Sequence, residues 1–476
     1  MDPQQPADVS GERRRDEGAL IAPGIFRQYD IRGVVGQDLT AEAAEGIGRA
    51  FAALLAERDI AREVVVGRDN RPSSGMLRDA LVRGLRGSRT NVVDIGEVPT
   101  PVLYWSLHHL PVQGGIQITG SHNPPEFNGF KLCVGTDSLH GEGIQRLRTL
   151  LEAGRFPAGE GTARTEPVLD RYVDDVVARV GRISRPVSVV IDCGNGVGAL
   201  VATKLFRRLG VKPVLLFADS DGTFPNHHPD PTVVENLRDL IETVRHRDAE
   251  LGIAFDGDAD RLGIVDRTGT IVWGDYLLII YARDVLARTG RGQPIIFDVK
   301  CSQALPAAIE AAGGRPVMWK TGHSLIKEKM KALRAPLAGE MSGHMFFAEG
   351  FYGHDDALYG AARLLRIIAD AGRSVDELLA DVPRYVSTPE IRVPCADERK
   401  FTVVEAATRH FSALHDVIAV DGVRILYGDG WGLIRASNTQ PILVVRFEAL
   451  TAHRLEQIRD EVAGWLATQD VAFPGA

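Results

Sequence analysis

An apolar run, a stretch of helical spacing and a second apolar run follow one another three times along this chain, and that recurrence narrows the architectures open to it. Residues 64–66 are a β-branched run ending at Gly67, residues 73–85 carry helical spacing, and residues 91–95 are apolar again. The order returns at 187–191, 199–209 and 212–217, and once more at 294–297, 302–312 and 315–319. Strands joined through helices of this length predict crossover units in largely buried sheets. Residues 262–273 read as a hairpin with turn residues at 266–269, which marks a boundary between the second unit and the third. Residues 383–389 read as a linker. Beyond it, apolar runs near 417–423 and 442–447 precede an amphipathic helix at 451–468. The expected fold is therefore α/β, with three related mixed α/β domains and a smaller C-terminal α+β domain. The expected divisions are a mobile tail at 1–20, domains at 21–165, 166–267 and 268–383, and a final domain at 384–476.

A length of 476 residues suits several hydrophobic cores better than one. The formal charge of −8 offers no general attraction to nucleic acid or to an anionic membrane surface. Cys133, Cys193, Cys301 and Cys395 stand far apart, forming neither a disulfide framework nor a close metal-binding pair, which points to a reducing compartment. Residues 1–20 lack the apolar core of a signal peptide, and charges interrupt every apolar stretch before it reaches bilayer-spanning length. A cytoplasmic location is expected, with no membrane or nucleic-acid partner.

Two loops carry chemistry. Ile116-Gln117-Ile118 leads into Thr119-Gly120-Ser121-His122-Asn123-Pro124-Pro125, a strand ending in a polar loop. Gly120 permits a tight path beside Ser121, and the prolines stiffen the far side. Ser121 there could be a nucleophile or carry a transferable phosphate, although the loop alone also reads as an ordinary turn. The apolar run 251–255 is followed by Asp256-Gly257-Asp258-Ala259-Asp260-Arg261. A regular strand would spread those three carboxylates over about 13 Å. A turn at Gly257 would gather them around a hard divalent cation such as Mg2+. Calcium or a solvated acidic turn is the competing local reading, and the absence of the later glycine and terminal glutamate spacing makes an EF-hand a poor one.

Other loops supply basic and polar groups. Lys131 could reach a reacting phosphate, and Arg32, Arg68 and Arg71 could form bidentate phosphate contacts, although each arginine alone suits a surface ion pair. Lys320-Thr321-Gly322-His323-Ser324 and Glu340-Met341-Ser342-Gly343-His344 offer sugar-hydroxyl contacts and two histidines suited to proton transfer, or simply caps and loop contacts. Arg435-Ala436-Ser437-Asn438-Thr439 reads as a phosphate clamp or a capped strand end. The glycines of residues 192–198 do not complete a dinucleotide fingerprint, and no Walker A sequence is present.

Taken together, the Ser121 loop, the Asp256–Asp260 loop, Gly339-Glu340-Met341-Ser342-Gly343-His344 and Arg435-Ala436-Ser437-Asn438-Thr439 resemble the α-D-phosphohexomutase superfamily, most closely its bacterial phosphomannomutase/phosphoglucomutase group. The resemblance spans almost the whole chain. It implies a heart-shaped, four-domain isomerase around a central cleft, with Ser121 as phosphate carrier and Asp256, Asp258, Asp260 and the serine phosphate as Mg2+ ligands. The divisions above then become phosphoserine, metal-binding, sugar-recognition and phosphate-binding domains. Arg32, Lys131 and Arg261 match positions near the transferred phosphoryl group. Lys320 and His323 match positions for substrate placement or proton transfer. Glu340, Ser342 and His344 match the sugar-recognition loop, and Arg435, Ser437, Asn438 and Thr439 the loop for the non-reacting phosphate.

The implied reaction moves phosphate between O1 and O6 of glucose and mannose phosphates through a hexose 1,6-bisphosphate, which also serves as activator. Lys131, His323 and His344 are the acid–base candidates, with no assignment among them. Phosphoglucosamine mutase is the nearest alternative. Its usual serine-glycine-threonine-glutamate pattern differs from Ser437-Asn438-Thr439-Gln440 here. A phosphatase and a non-catalytic sugar-phosphate sensor are the remaining alternatives.

Overall fold

A computed structural model describes residues 22–438 and 440–473. The expected tail at 1–20 and Thr439 lie outside the described residues.

The three recurring units share one topology. In the first, Glu63–Arg68 buries four consecutive residues and runs parallel to both Asn91–Glu97 and Gly114–Ile118. Phe127–Val134 then returns antiparallel to Gly114–Ile118. In the second, Val189–Asp192 lies parallel to Val214–Leu216 and Leu251–Phe255, and Leu262–Asp266 returns antiparallel. In the third, Pro294–Asp298 lies parallel to Arg315–Trp319 and Leu337–Gly339, with Met345–Phe347 returning. Central strands covered on both faces explain the unbroken apolar runs. The recurrence therefore reflects equivalent units, and it has a functional consequence. The Ser121 loop, the Asp256–Asp260 loop and the Glu340–His344 loop are the same connection, between the third and fourth strands, in three successive domains.

The final domain is a six-stranded antiparallel sheet in which Ile442–Ala449 pairs with Val386–Ser387, Ile391–Pro394 and Gly430–Ala436. Its sequence reading needs two refinements. The apolar run near 417–423 is two strands, Asp416–Ile418 and Val423–Leu426, separated by a turn in which Gly422 adopts φ +82°. A helix over Asp397–Ser412 also escaped the reading, because only Lys400, Val403, Ala407 and Phe411 carry its buried face. The domain grips the third one through Arg424. Its Nη1 donates to the carbonyls of Val299 (2.8 Å) and Cys301 (2.7 Å), and its guanidinium lies 3.8 Å from the Trp431 ring centroid.

The serine loop depends on packing behind it. Helices Ala41–Glu57 and Ser74–Arg86 cross where Gly48 and Gly84 face backbone, and a methyl at Gly84 would collide with the Glu45 carbonyl. Ser74, at the start of the second of these helices, donates to Asp69, and Asp69 in turn accepts from the Gly120 amide at 3.0 Å. Gly84→Ala should therefore destabilise the protein by about 1–3 kcal/mol, the usual range for overpacking. Thermal or denaturant unfolding checks this, and an unchanged midpoint would show that the helices separate without cost.

Candidate active site

Ser121 leaves the strand Gly114–Ile118 in an unusual conformation. Its φ is +49°, a region that L-residues enter at some cost. The surroundings hold it there. Arg71 is 1% exposed and donates from Nη2 to the carbonyls of Ser121 (2.7 Å) and Asn123 (2.5 Å), and from Nη1 to those of Pro124 (2.5 Å) and Phe127 (3.0 Å). Both terminal nitrogens are thus spent on main chain rather than on a phosphate, and Nε lies 3.2 Å from Asp69 Oδ2. Gly120 is required by proximity, since a Cβ there would strike the Arg71 guanidinium. Arg32 adds bonds to the Gly120 carbonyl (3.2 Å) and Asn123 Oδ1 (3.1 Å) and pairs with Asp30 at 2.6 Å. Arg68 lies apart, paired with Glu97 at 3.0 Å.

The second loop faces the first. Ser121 Oγ donates to Asp256 Oδ2 at 2.9 Å and lies 3.1 Å from His122 Nδ1. Burial, with Arg261 nearby, holds the His122 pKa well below the ordinary histidine value. Asp256 Oδ1 accepts from the amides of Asp260 and Arg261, both at 3.0 Å, so the carboxylate itself folds the turn. Gly257 lies in the turn, as the sequence suggested, and the left-handed residue beside it is Ala259, at φ +58°. Gly257 serves a close approach instead, because a Cβ there would come within 2.5 Å of the Ser121 carbonyl oxygen.

Asp256, Asp258 and Asp260 are fully buried, and one oxygen from each lies within 4.8 Å of the others. Lys131 Nζ reaches Asp258 Oδ2 (2.7 Å) and Asp260 Oδ2 (2.5 Å), and Thr100 Oγ1 donates to Asp258 Oδ2 at 2.5 Å. Burial opposes the Lys131 charge, but the two aspartates outweigh it and raise its pKa. Burial and the neighbouring carboxylates together push the Asp256 pKa well up. Asp258 Oδ1 and Asp260 Oδ1 remain buried without a hydrogen-bond partner. Unsatisfied carboxylate oxygens in a compact all-oxygen set fit a hard divalent cation, which makes this loop a candidate metal centre.

The third loop joins the second through main chain. Arg261 and His344 form an isolated antiparallel bridge, and Arg261 Nε donates to His344 Nε2 at 3.0 Å. His344 Nδ1 lies 3.1 Å from Asp355 Oδ2 and 3.6 Å from Asp260 Oδ1. His323 Nδ1 is 3.9 Å from the same Asp355 oxygen. Burial, reinforced by Lys327, depresses the His323 pKa strongly. Glu340 is buried, which raises its pKa, and it accepts from the Gly322 amide (2.9 Å) and from Ser342 Oγ (3.1 Å).

The fourth element completes the enclosure. Arg435, 6% exposed at the end of Gly430–Ala436, directs Nε and Nη2 at Asp421 Oδ2, both at 3.0 Å. Burial opposes its charge while Asp421 raises its pKa. Asn438 donates to Tyr29 Oη at 2.6 Å, and Tyr29 donates to the Thr321 carbonyl at 2.8 Å, tying the fourth domain to the first and third. Ser437 is buried beside them.

The structure thus brings Ser121, Arg32, Lys131, Asp256, Asp258, Asp260 and Arg261 together, with His323, Glu340, Ser342 and His344 in the adjoining third domain. Lys320 is different, exposed just past Arg315–Trp319. Lys300 is instead the buried lysine of that domain, 2.6 Å from Glu390, with burial opposed by that carboxylate and its pKa pushed up to about 12. The sequence reading missed Lys300, Tyr29 and Asp355. Asp355 had a weak signal in His354-Asp355-Asp356, but Asp356 caps the following helix by accepting from the Tyr359 amide at 2.8 Å, and the run reads as a cap.

Comparison with known proteins identifies the family. Four family models match in order: the phosphoglucomutase/phosphomannomutase alpha/beta/alpha domains I (residues 23–155), II (170–269) and III (273–385), and the C-terminal domain (390–464). A phosphomannomutase/phosphoglucomutase of Pseudomonas putida is 48% identical over 444 residues, covering 93% of this chain and 95% of its own. A phosphoglucomutase of Neisseria gonorrhoeae is 46% identical over 447 residues, covering 93% and 96%. The crystal structure of a phosphoglucomutase/phosphomannomutase family protein from Burkholderia thailandensis superposes with a TM-score of 0.88 at 43% identity, covering 96% of this chain and 99% of that one. Among the described residues no helix is long and apolar enough to cross a membrane. The chain belongs to the phosphoglucomutase/phosphomannomutase family and is an enzyme of the intramolecular phosphotransferase class.

Proposed function

We propose that phosphorylated Ser121 carries the phosphoryl group exchanged between O1 and O6 of glucose and mannose phosphates, with Mg2+ as the metal and a hexose 1,6-bisphosphate as both intermediate and activator. The observation that carries this reading is the 2.9 Å contact between Ser121 Oγ and Asp256 Oδ2 at the edge of the buried carboxylate cluster. The naming of curated relatives for glucose and mannose chemistry supports the choice of sugars. A cytoplasmic location suits such substrates.

Asp256, Asp258 and Asp260, with the serine phosphate, would hold Mg2+, which neutralises phosphoryl oxygens and steadies the charge of the transfer. In the first half-reaction a sugar hydroxyl attacks phosphorus, the bond to Ser121 Oγ breaks, the hydroxyl proton passes to a base, and the departing Ser121 Oγ takes up a proton from an acid. Lys131, His323 and His344 are the candidates for that base, and burial, which keeps the His323 imidazole neutral, also weakens it as a proton acceptor. Lys131 suits charge stabilisation better, since two carboxylates hold its ammonium. Arg32 and Arg261 would flank the phosphoryl group, and His344, oriented by Asp355, would serve as proton donor or acceptor in the reverse step.

Glu340 and Ser342 would bind sugar hydroxyls. Arg435, Ser437, Asn438 and Thr439 would hold the non-reacting phosphate, which competes with Asp421 for the arginine fork. Because the bisphosphate carries phosphate at both ends, the same clamp holds either end after the intermediate turns around. Lys320 remains a proposal from its motif alone. The four functional divisions at 21–165, 166–267, 268–383 and 384–476 are proposed on the same reading.

Time-resolved phosphorus NMR of serine-phosphorylated protein with Mg2+ tests the assignment against glucose, mannose and glucosamine 1-phosphates, each primed with its 1,6-bisphosphate. Glucose and mannose 6-phosphates should form without free phosphate. Exclusive glucosamine conversion would move the assignment to phosphoglucosamine mutase, and steady phosphate release would indicate a phosphatase. Ser121→Ala should lower turnover by roughly a thousandfold or more while retaining sugar-phosphate binding; near-normal turnover would remove Ser121 as the carrier. Arg435→Ala should raise KM for both sugars by about tenfold or more, the loss of one charge-assisted contact. A loss confined to one sugar would assign Arg435 to the sugar ring instead.

A further inference from the structure

A first-domain hydroxyl reaches the carboxylate loop from outside it. Thr100 is fully buried at the start of the helix Thr100–His109 and touches Asp258 twice. Its amide donates to the Asp258 carbonyl at 3.0 Å, and its Oγ1 donates to Asp258 Oδ2 at 2.5 Å. Lys131 Nζ donates to the same oxygen at 2.7 Å, so Oδ2 is taken by two donors while Asp258 Oδ1 has none.

The two donors differ in kind. Lys131 is shared with Asp260 Oδ2 at 2.5 Å, so it supplies charge to both aspartates, and its flexible four-carbon stem fixes the plane of neither. Thr100 has a short, β-branched side chain with one stiff torsion. Its main chain is held as well. Pro99 and Pro101 flank it, the Val98 amide donates to the Arg68 carbonyl at 2.9 Å, and Gln117 Nε2 donates to the Val98 carbonyl at 2.9 Å. Thr100 is thereby fastened to the strands Glu63–Arg68 and Gly114–Ile118, and the second of these runs directly into the Ser121 loop. One first-domain frame therefore carries Ser121 and grips Asp258.

We propose that Thr100 is a positioning residue for the metal: its hydroxyl pins one oxygen of Asp258, which sets the plane of the carboxylate and leaves the other oxygen to the cation. The inference rests on the reading of Asp256, Asp258 and Asp260 as Mg2+ ligands. Mg2+ demands near-ideal octahedral geometry at short ligand distances, so a carboxylate free to turn about its last torsion binds it less well. Partners that orient a metal ligand are generally worth about 10- to 100-fold in metal affinity.

Electron paramagnetic resonance of Mn2+ titrated into the full-length, unphosphorylated protein reads that affinity, because the signal of free Mn2+ falls on binding. Thr100→Val keeps the shape and the amide contact but removes the hydroxyl, and it should weaken Mn2+ binding by about tenfold or more. Thr100→Ala, a second hydroxyl-free form, should show the same loss, and Thr100→Ser, which keeps the hydroxyl, should bind as the parent does. In turnover assays Thr100→Val should raise the half-saturating Mg2+ concentration by a similar factor and leave the KM for glucose 1-phosphate at its parental value. Mn2+ binding that Asp258→Asn weakens and the two hydroxyl-free forms leave unchanged would overturn this inference alone. Equal losses in Thr100→Val and Thr100→Ser would overturn it too, by tracing the effect to packing rather than to the hydroxyl. Binding absent from the parent, or indifferent to Asp258→Asn, would overturn the metal reading along with it.

Discussion

Three carboxylates buried within 4.8 Å of one another cannot coexist as anions without compensation. At about 4 Å, two like charges repel by about 4 kcal/mol even at an effective dielectric of about 20. Much of the architecture is arranged around this constraint. Lys131 arrives from the first domain, Arg261 from the loop itself, and Thr100, at the start of a first-domain helix, donates to Asp258. Burial and the neighbouring carboxylates push the Asp256 pKa up, so a proton there relieves part of the repulsion, and the two carboxylate oxygens that lack partners suit a divalent cation.

That requirement explains why equivalent loops of three domains carry different residues. Each domain offers the same connection between its third and fourth strands, and each has been given one task. The first presents a serine held by Arg71 at φ +49°, the second gathers carboxylates, and the third presents Glu340 and His344. The loops meet with backbone in contact, which is why Gly257 and Gly343 are glycines: a side chain at either would enter the neighbouring loop. The fourth domain, built on an antiparallel sheet, closes over them and is held by the Asn438–Tyr29–Thr321 chain and by Arg424.

Much of this was legible in the sequence. The strand–helix–strand recurrence follows from apolar periodicity, and most elements fall within a few residues of their expected bounds, as with Arg315–Trp319 and the terminal helix Ala452–Ala467. Ser121 and the three aspartates stood out because reactive residue types clustered within a few positions. The illegible part depends on residues distant in sequence. Asp355 organises His323 and His344 from beyond both motifs, Tyr29 reaches Asn438 across 409 positions, and Lys300 rather than Lys320 occupies the buried side of the third domain.

By itself the sequence determined the number of α/β units, the order of the loops and the chemistry each could offer, because hydrophobic periodicity and short motifs are local properties of the chain. Only the tertiary structure decided how those groups act on one another. It spent the terminal nitrogens of Arg71 on carbonyls, set Lys131 between two carboxylates and gathered the carboxylate loop with Ala259 in the left-handed region. Burial and distance set charge and hydrogen-bond satisfaction, and both arise when strands far apart in sequence come together.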